Sequence, residues 1–385
     1  MEASAAGPAG PETPGSPGTP GTPGTSGTPG TPGASRTVLI ITLQGCLEAC
    51  LRALGSPPSQ ATRIAEVLMD GELRGYDDHG AFFIGELAGW MRSGAMNPSP
   101  RVSVLRETPV SVLLDADRGC GAVGATEAMQ RCIDKAGQTG LACAGLRNSG
   151  HFIAAAPYAE MAARAGLIGF VCANVTPLMA PTGGLSRTFG TNPLAYAFPA
   201  ASHDPVVFDM ATSATAGFKV RLAALAGKTL PEGLILDAAG EPTTDPREYL
   251  AGGLILPVGG EHAAHKGYGL ALVVDALAGV LTGAGFARGA GVTDGKEGQF
   301  FLALDPELFL PRDEFLRRMD DQIEQTKAAQ PLPGVDEIFV PGERGQRRRR
   351  RLIAEQTVPL GDVTWQTLER TCADLGVPLP DFKTA

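Results

Sequence analysis

The sequence predicts an α/β protein with helices from both chain ends packed beside its sheet. Two observations carry this. From residue 111 onward, short apolar runs alternate with segments of helical period, in the order strand, helix, strand, helix, strand. Before residue 110 and after about 305, helical spacing dominates. The expected organisation is a disordered tail over 1–36, a helical domain over 37–110 completed by 305–385, and an α/β domain over 111–304.

Taken in order, "GPAGPETPGSPGTPGTPGTSGTPGTPGAS" contains no large apolar side chain. It cannot bury enough surface to offset its ordering entropy, so it reads as disordered. It lacks the basic start and apolar core of a signal peptide, and Glu2 and Glu12 argue against a transit peptide. "SPPSQATRIAEVLMDGELRG" opens with prolines that can begin a helix, then sets Ile64, Val67 and Leu68 at helical spacing. "AFFIGELAGWMRSG" places Phe83, Leu87, Trp90 and Met91 on one stripe, with Gly94 as its stop. "GYDDHG", residues 75–80, is therefore the break between two helices, and it holds one of only five histidines.

"SVLLDA", "LACAGL" and "LIGFVCA" read as strands. "GATEAMQRCIDKAG" and "FIAAAPYAEMAARAG" read as the helices between them, with "RNSGH" as a loop. "LAYAF" and "PVVFDM" add further apolar runs, and "HKGYGLALVVDALAGVLTGAG" is a long apolar helix.

Composition narrows the function. A net charge of −9 disfavours a nucleic-acid partner, and no apolar run reaches the length of a membrane span. Arg347–Arg351 form a local exception, a phosphate-binding or localisation patch or else a solvated loop or helix face. Seven cysteines without a CxxC pair suit reduced thiols in a cytoplasmic protein.

Several residues offer chemistry. His151 ends "RNSGH" at an expected helix start, where the dipole favours a neutral imidazole able to exchange a proton near neutral pH; a capping histidine is the other reading. Asp209 closes a buried-looking strand, as a site carboxylate or a structural cap. Lys266 lies among glycines that admit a close ligand, and it could hold an anion. His262 and His265 have helical spacing for a metal but no third ligand nearby, so no metal is expected. "GCGAVG" fits the GxGxxG dinucleotide pattern, yet the next strand ends in Arg147 and Asn148, without the ribose-binding acid.

In order, "RGYDDHG", "GCGAVGATEAM", "RNSGH", "FGTNPLAYAFP", "FDMATS", "EPTTDP", "HKGYGLAL" and "VPGE" resemble the type 2 malate/L-lactate dehydrogenase family. That family also includes ureidoglycolate and sulfolactate dehydrogenases, diketogulonate reductase and piperideine-2-carboxylate reductase-like enzymes. The resemblance implies a three-layer L-sulfolactate dehydrogenase-like fold with a mixed sheet and a non-Rossmann nucleotide site, in which "GCGAVG" is a turn. It implies a homodimer that transfers hydride between NAD or NADP and a small 2-oxo/2-hydroxy acid or cyclic imino acid. His79 and His151 are then catalytic, with Asp209 as a support. Asp209, Met210 and Ala211, His265 and Lys266, and Gly342, Glu343 and Arg344 are the expected cofactor contacts, while Lys266 or Arg147 would hold an anion.

Two positions depart from the family pattern. Asp78 stands for the usual serine, and Phe83 for an arginine that grips the substrate carboxylate. An adjacent carboxylate raises the pKa of His79, and loss of the clamp favours a less acidic, more apolar or cationic substrate. A catalytically silent dinucleotide-binding protein of the same fold is the competing expectation.

Overall fold

The computed structural model describes residues 36–292 and 295–384, so the Gly-Thr-Pro tail before Arg36 lies outside the described residues. The chain begins with β1 (Arg36–Leu39), α1 (Ile40–Ala53), α2 (Pro58–Arg74) and α3 (Ile84–Arg92). Pro58 starts α2, and Gly75 ends it at φ 84°, a left-handed conformation that an L side chain resists.

The α/β layer comprises β2 (Ser103–Thr108), β3 (Ser111–Asp115), α4 (Gly121–Thr139), β4 (Leu141–Ser149), α5 (Ala156–Arg164), β5 (Ile168–Asn174), β6 (Leu194–Phe198) and β7 (Val206–Met210). A smaller unit follows: α6 (Gly217–Leu225), β8 (Ile235–Leu236), β9 (Pro242–Thr243), α7 (Pro246–Leu250) and β10 (Leu254–Ile255). Then come α8 (Gly260–Val274), a π-helical turn over Asp275–Val280, β11 (Glu297–Leu304), α9 (Arg312–Lys327), α10 (Glu343–Glu355), β12 (Thr357–Leu360), α11 (Asp362–Leu375) and β13 (Phe382–Thr384).

The large sheet runs β2-β3-β4-β11-β5-β6-β7. It is mixed: β3 and β4 are parallel, joined by α4, and the other pairs are antiparallel. Alternate side chains serve its two faces. Val171, Ala195, Phe301 and Ala303 join the core beneath α4 and α5, whereas Cys172, Leu194 and Phe300 pack on Val274 and Ala278. Helix on sheet on helix gives the three layers. Near the chain ends, β12-β1-β13 form a second sheet that the helical expectation did not contain. Its short strands carry too little alternation to be seen in sequence.

Three local expectations need correction. β4 continues through Ser149, so "RNSG" is mostly strand, because antiparallel β11 pairs with it to that residue. Helix α5 begins at Ala156 rather than directly after His151, since Asp209 Oδ2 accepts from Ala156 N at 2.8 Å and fixes the first turn there. The apolar helix begins earlier, at Gly260, and kinks at Ala263 (φ −137°). Only Gly119 and Cys120 of "GCGAVG" precede α4; its last four residues are the first turn of that helix, where the glycines serve packing. A Cβ on Gly121 would lie 2.4 Å from Gly150 O, and one on Gly124 would meet the Leu146 side chain at 2.7 Å.

Among the described residues no helix is long and apolar enough to cross a membrane.

Candidate active site

His79 sits in the turn after α2, where its N–H donates to Tyr76 O at 2.8 Å. Behind the turn, the buried Glu72 accepts from Ala81 N at 2.8 Å and pins the backbone just after the histidine. Burial pushes the Glu72 carboxyl up to about 7, against the hydrogen bond from Ala81. His151 comes from the end of β4, far away in sequence, and the two imidazoles lie with centroids 5.7 Å apart, nearly parallel.

Phe83 fills the space beside them. Its ring centroid is 5.7 Å from that of His79 and 4.9 Å from that of His151, and its side chain is fully buried. Phe218, from the first turn of α6, stands edge-on at 6.0 Å from both imidazoles, and Trp90 lies 6.1 Å from His151. The histidine pair thus has apolar walls on several sides.

The pKa values of the two imidazoles are shifted in opposite directions. Burial alone would lower the pKa of His79, but the Asp78 carboxylate 3.1 Å from Nδ1, assisted by Asp209, outweighs it and raises the group above its ordinary value. Asp78 in turn is held low against its burial by the His79 charge. The contact is an ion pair more than an aligned hydrogen bond, because Asp78 Oδ2 is buried without a hydrogen-bond partner of suitable angle. His151 is pushed down to about 3, first by burial and then by the positive His79. It is therefore neutral, as the sequence suggested, but not through a helix dipole, since α5 starts five residues later. Its Nδ1 accepts from Ile153 N at 3.0 Å, which leaves the proton on Nε2.

Asp209 is raised by burial, opposed by the N–H groups of Ala156 and Ala155 that it caps. It makes no hydrogen bond to a histidine; it acts on His79 through its charge. Asp209 also lines a cavity of about 540 Å³ together with Tyr76, Val207, Gly342 and Arg344. Gly342 caps α10 at φ 85°, and a Cβ there would meet Val207 O at 2.5 Å. Two of the three expected cofactor segments thus share one cavity. Glu343 is turned to Lys327 and Arg347, with Oε1 2.7 Å from Lys327 Nζ, and Arg344 stacks on Phe339 at 4.5 Å.

Met210 and Ala211 continue from Asp209, with Met210 packed against the Cys172–Leu194 core. His265 and Lys266 lie exposed on α8, apart from the cavity lining, and among the described residues neither side chain makes a hydrogen bond or ion pair. Arg147 lies 4.0 Å from Asp115 and makes no ion pair with the site.

Sequence reasoning missed Phe218 and Lys219. Lys219 is exposed, has no ion pair, and acts electrostatically on Asp78 and His79. An aromatic and a cation in the first turn of a helix after "FDMATS" form an ordinary local pattern, so nothing marked them. The five arginines prove to lie on α10 and are largely occupied. Arg347 pairs with Glu337 and Glu343, Arg348 donates to Glu72 O at 2.7 Å, Arg349 lies 3.1 Å from Asp70, and Arg350 pairs with Asp204.

Fold and site together define a three-layer α/β protein with a half-buried histidine pair whose pKa values are shifted in opposite directions, close to a cavity framed by β7 and the α10 N-terminus. The chain belongs to the malate/L-lactate dehydrogenase family, whose model matches residues 40–369. It is 38% identical over 301 residues to a malate dehydrogenase of Pyrococcus abyssi, covering 77% of this chain and 83% of the relative. It is 36% identical over 325 residues to a Δ1-pyrroline-2-carboxylate/Δ1-piperideine-2-carboxylate reductase of Pseudomonas putida, covering 82% and 90%. The solved sulfolactate dehydrogenase of Methanocaldococcus jannaschii superposes with TM-score 0.79 at 32% identity, covering 89% of this chain and 98% of that one. The protein is an oxidoreductase acting on CH–OH or C=N groups, and its family implies a nicotinamide cofactor.

Proposed function

We propose that this protein is a cytoplasmic, homodimeric NADH- or NADPH-dependent reductase of small 2-oxo or cyclic imino acids, with His79 as the proton donor. The observation that carries the reading is the Asp78 carboxylate 3.1 Å from His79 Nδ1, which raises one imidazole of the pair while burial lowers the other. An acid for the reductive direction must hold its proton, and the Asp78 carboxylate favours the protonated form of His79, whereas His151 is pushed down to about 3.

The cofactor residues fit a nucleotide. A cavity of about 540 Å³ is of the size that small-molecule sites occupy, its rim carries Arg344, and Lys266 offers a free cation on α8. Asp209, Gly342 and Arg344 would hold the group from one side; Met210, Ala211, His265 and Lys266 extend the set. When bound, a reduced nicotinamide supplies the hydride.

The chain's own residues do the rest. His79 gives its proton to the oxygen or nitrogen on which negative charge develops, and Asp78 keeps the imidazole charged until then. His151, its proton fixed on Nε2, donates a hydrogen bond to the same atom. Lys219 takes the carboxylate that an arginine at position 83 would otherwise clamp. Phe83, Phe218 and Trp90 exclude water and favour an apolar ring, so a cyclic imino acid suits this site better than a small dicarboxylic oxo acid. For the homodimer, the support is exposed apolar surface on and after α8: Leu272, Val273, Val280 and Leu281.

The test is oxidation of NADH and NADPH, followed by absorbance, against a panel of 2-oxo acids, cyclic imino acids and neutral ketones. His79→Gln is expected to lose roughly 10² to 10⁴ in turnover with its melting temperature kept. Full activity in that variant would refute the assignment. Cofactor-induced stabilisation without turnover on any substrate would favour the silent binding protein.

A further inference from the structure

Away from this site, three of the seven cysteines meet. Cys46 and Cys50 stand one helical turn apart on the same face of α1, and Cys372 faces them from α11. Cys372 Sγ lies 3.4 Å from Cys46 Sγ and 3.7 Å from Cys50 Sγ, and all three sulfurs fall within 4.8 Å of one another. All three side chains are buried, and among the described residues this is the only group of three or more His, Cys, Asp or Glu side chains spaced to hold a metal. The backbone carbonyl of Pro378, just beyond α11, lies 3.6 Å from Cys46 Sγ.

We propose that Cys46, Cys50 and Cys372 form a structural site for a thiophilic d¹⁰ divalent cation, Zn²⁺ in the first instance, with the Pro378 carbonyl as the fourth donor. Tetrahedral zinc with Zn–S bonds near 2.3 Å holds its sulfurs about 3.8 Å apart, close to the 3.4 Å and 3.7 Å of the two Cys372 spacings. A disulfide would use two sulfurs at about 2.05 Å and leave the third without a role.

Charge selects the ion. Three thiolates with a divalent cation carry one net negative charge, and with a monovalent cation two, which burial penalises more. On binding, the thiols release their protons to solvent and four bonds to the metal replace weak S–H contacts. The site ties α1 to α11 across 326 residues of sequence, joining the two ends of the folded chain.

The experiment uses the full chain, reduced and stripped with a chelator, then titrated with Zn²⁺ against a chromophoric chelator and separately with Cd²⁺. One equivalent per chain is expected, together with an ultraviolet Cd–thiolate band and a rise in melting temperature. Cys372→Ala should lose the band and the rise while melting cooperatively without metal. Cys143→Ala, a thiol outside the cluster, should keep both. Histidine sites at the surface would bind Zn²⁺ without the Cd–thiolate band. Absence of that band in the wild type, its persistence in Cys372→Ala, or a Cys46–Cys372 disulfide in the protein isolated without reductant would each overturn the proposal.

Discussion

A single carboxylate beside His79 sets the chemistry of the pair. Asp78 is 2% exposed, so its charge acts through little water and raises the imidazole it touches. Replacing it by asparagine keeps the size and removes the charge. Asp78→Asn is expected to move the limb of the kcat/KM against pH profile that belongs to His79 to lower pH, with reduced turnover on its alkaline side. An unmoved limb would assign the titration elsewhere.

The two histidines were legible in the sequence because histidine is scarce here and both stand next to glycine in breaks between regular elements. Phe218 and Lys219 were not, because their contacts with His79 and Asp78 are long-range. The effect of Asp78 on its neighbour could also be read directly, since adjacency needs no fold. The cause of His151 neutrality could not, because it lies in burial by residues from three other segments.

At the level of elements, glycine marks where backbones must touch. Gly121 opens α4 against Gly150 and Phe152, the two neighbours of His151. A methyl group there displaces the segment that carries the histidine. Gly121→Ala is expected to cost about 1–3 kcal/mol in denaturant unfolding and to lower turnover as well. Gly137, in the same helix, has nothing within 4 Å of its Cβ position, and Gly137→Ala should stabilise by about 0.5–1 kcal/mol with activity unchanged. Equal effects of the two substitutions would show that helix propensity, not packing, governs the first.

Helices and most strands followed from periodicity, but β11 escaped. "EGQFFLAL" is a short apolar run with no decisive period, and its place between β4 and β5 depends on partners more than 100 residues earlier. The start of α5 had the same character, being fixed by a carboxylate 53 residues away.

For the molecule as a whole, buried ionisable groups shape stability against pH. Glu297 is 2% exposed, its carboxylate accepts among the described residues only from Thr176 N at 3.3 Å, and it is pushed up to about 8 by burial. Its carboxyl is protonated in the folded state at pH values where the unfolded chain has already lost that proton. Its contribution is therefore full below about 4.5 and declines as pH rises toward 8. His151, depressed to about 3, acts in the opposite sense, and stability is lost as pH falls from about 6.5 toward 3. Thermal melting across pH should show Glu297→Gln gaining on the wild type between pH 5 and 8, by on the order of a few kcal/mol at the upper end, with little difference at pH 5. A constant offset would mean that Glu297 ionises freely in the folded protein.

The sequence alone determined what is local: the helical periods, the strand–helix alternation, the turn glycines, and an ordered set of motifs specific enough to identify the family. Tertiary structure alone decided what depends on distant segments meeting. It inserted β11 into the sheet, aligned two imidazoles from separate turns under Phe83 and Phe218, and drew three cysteines from opposite ends of the folded chain to one point. Backbone preference acts over a few residues and leaves a periodic trace. Burial, charge coupling and metal-ligand spacing act through space, and the order of residues along a chain does not record them.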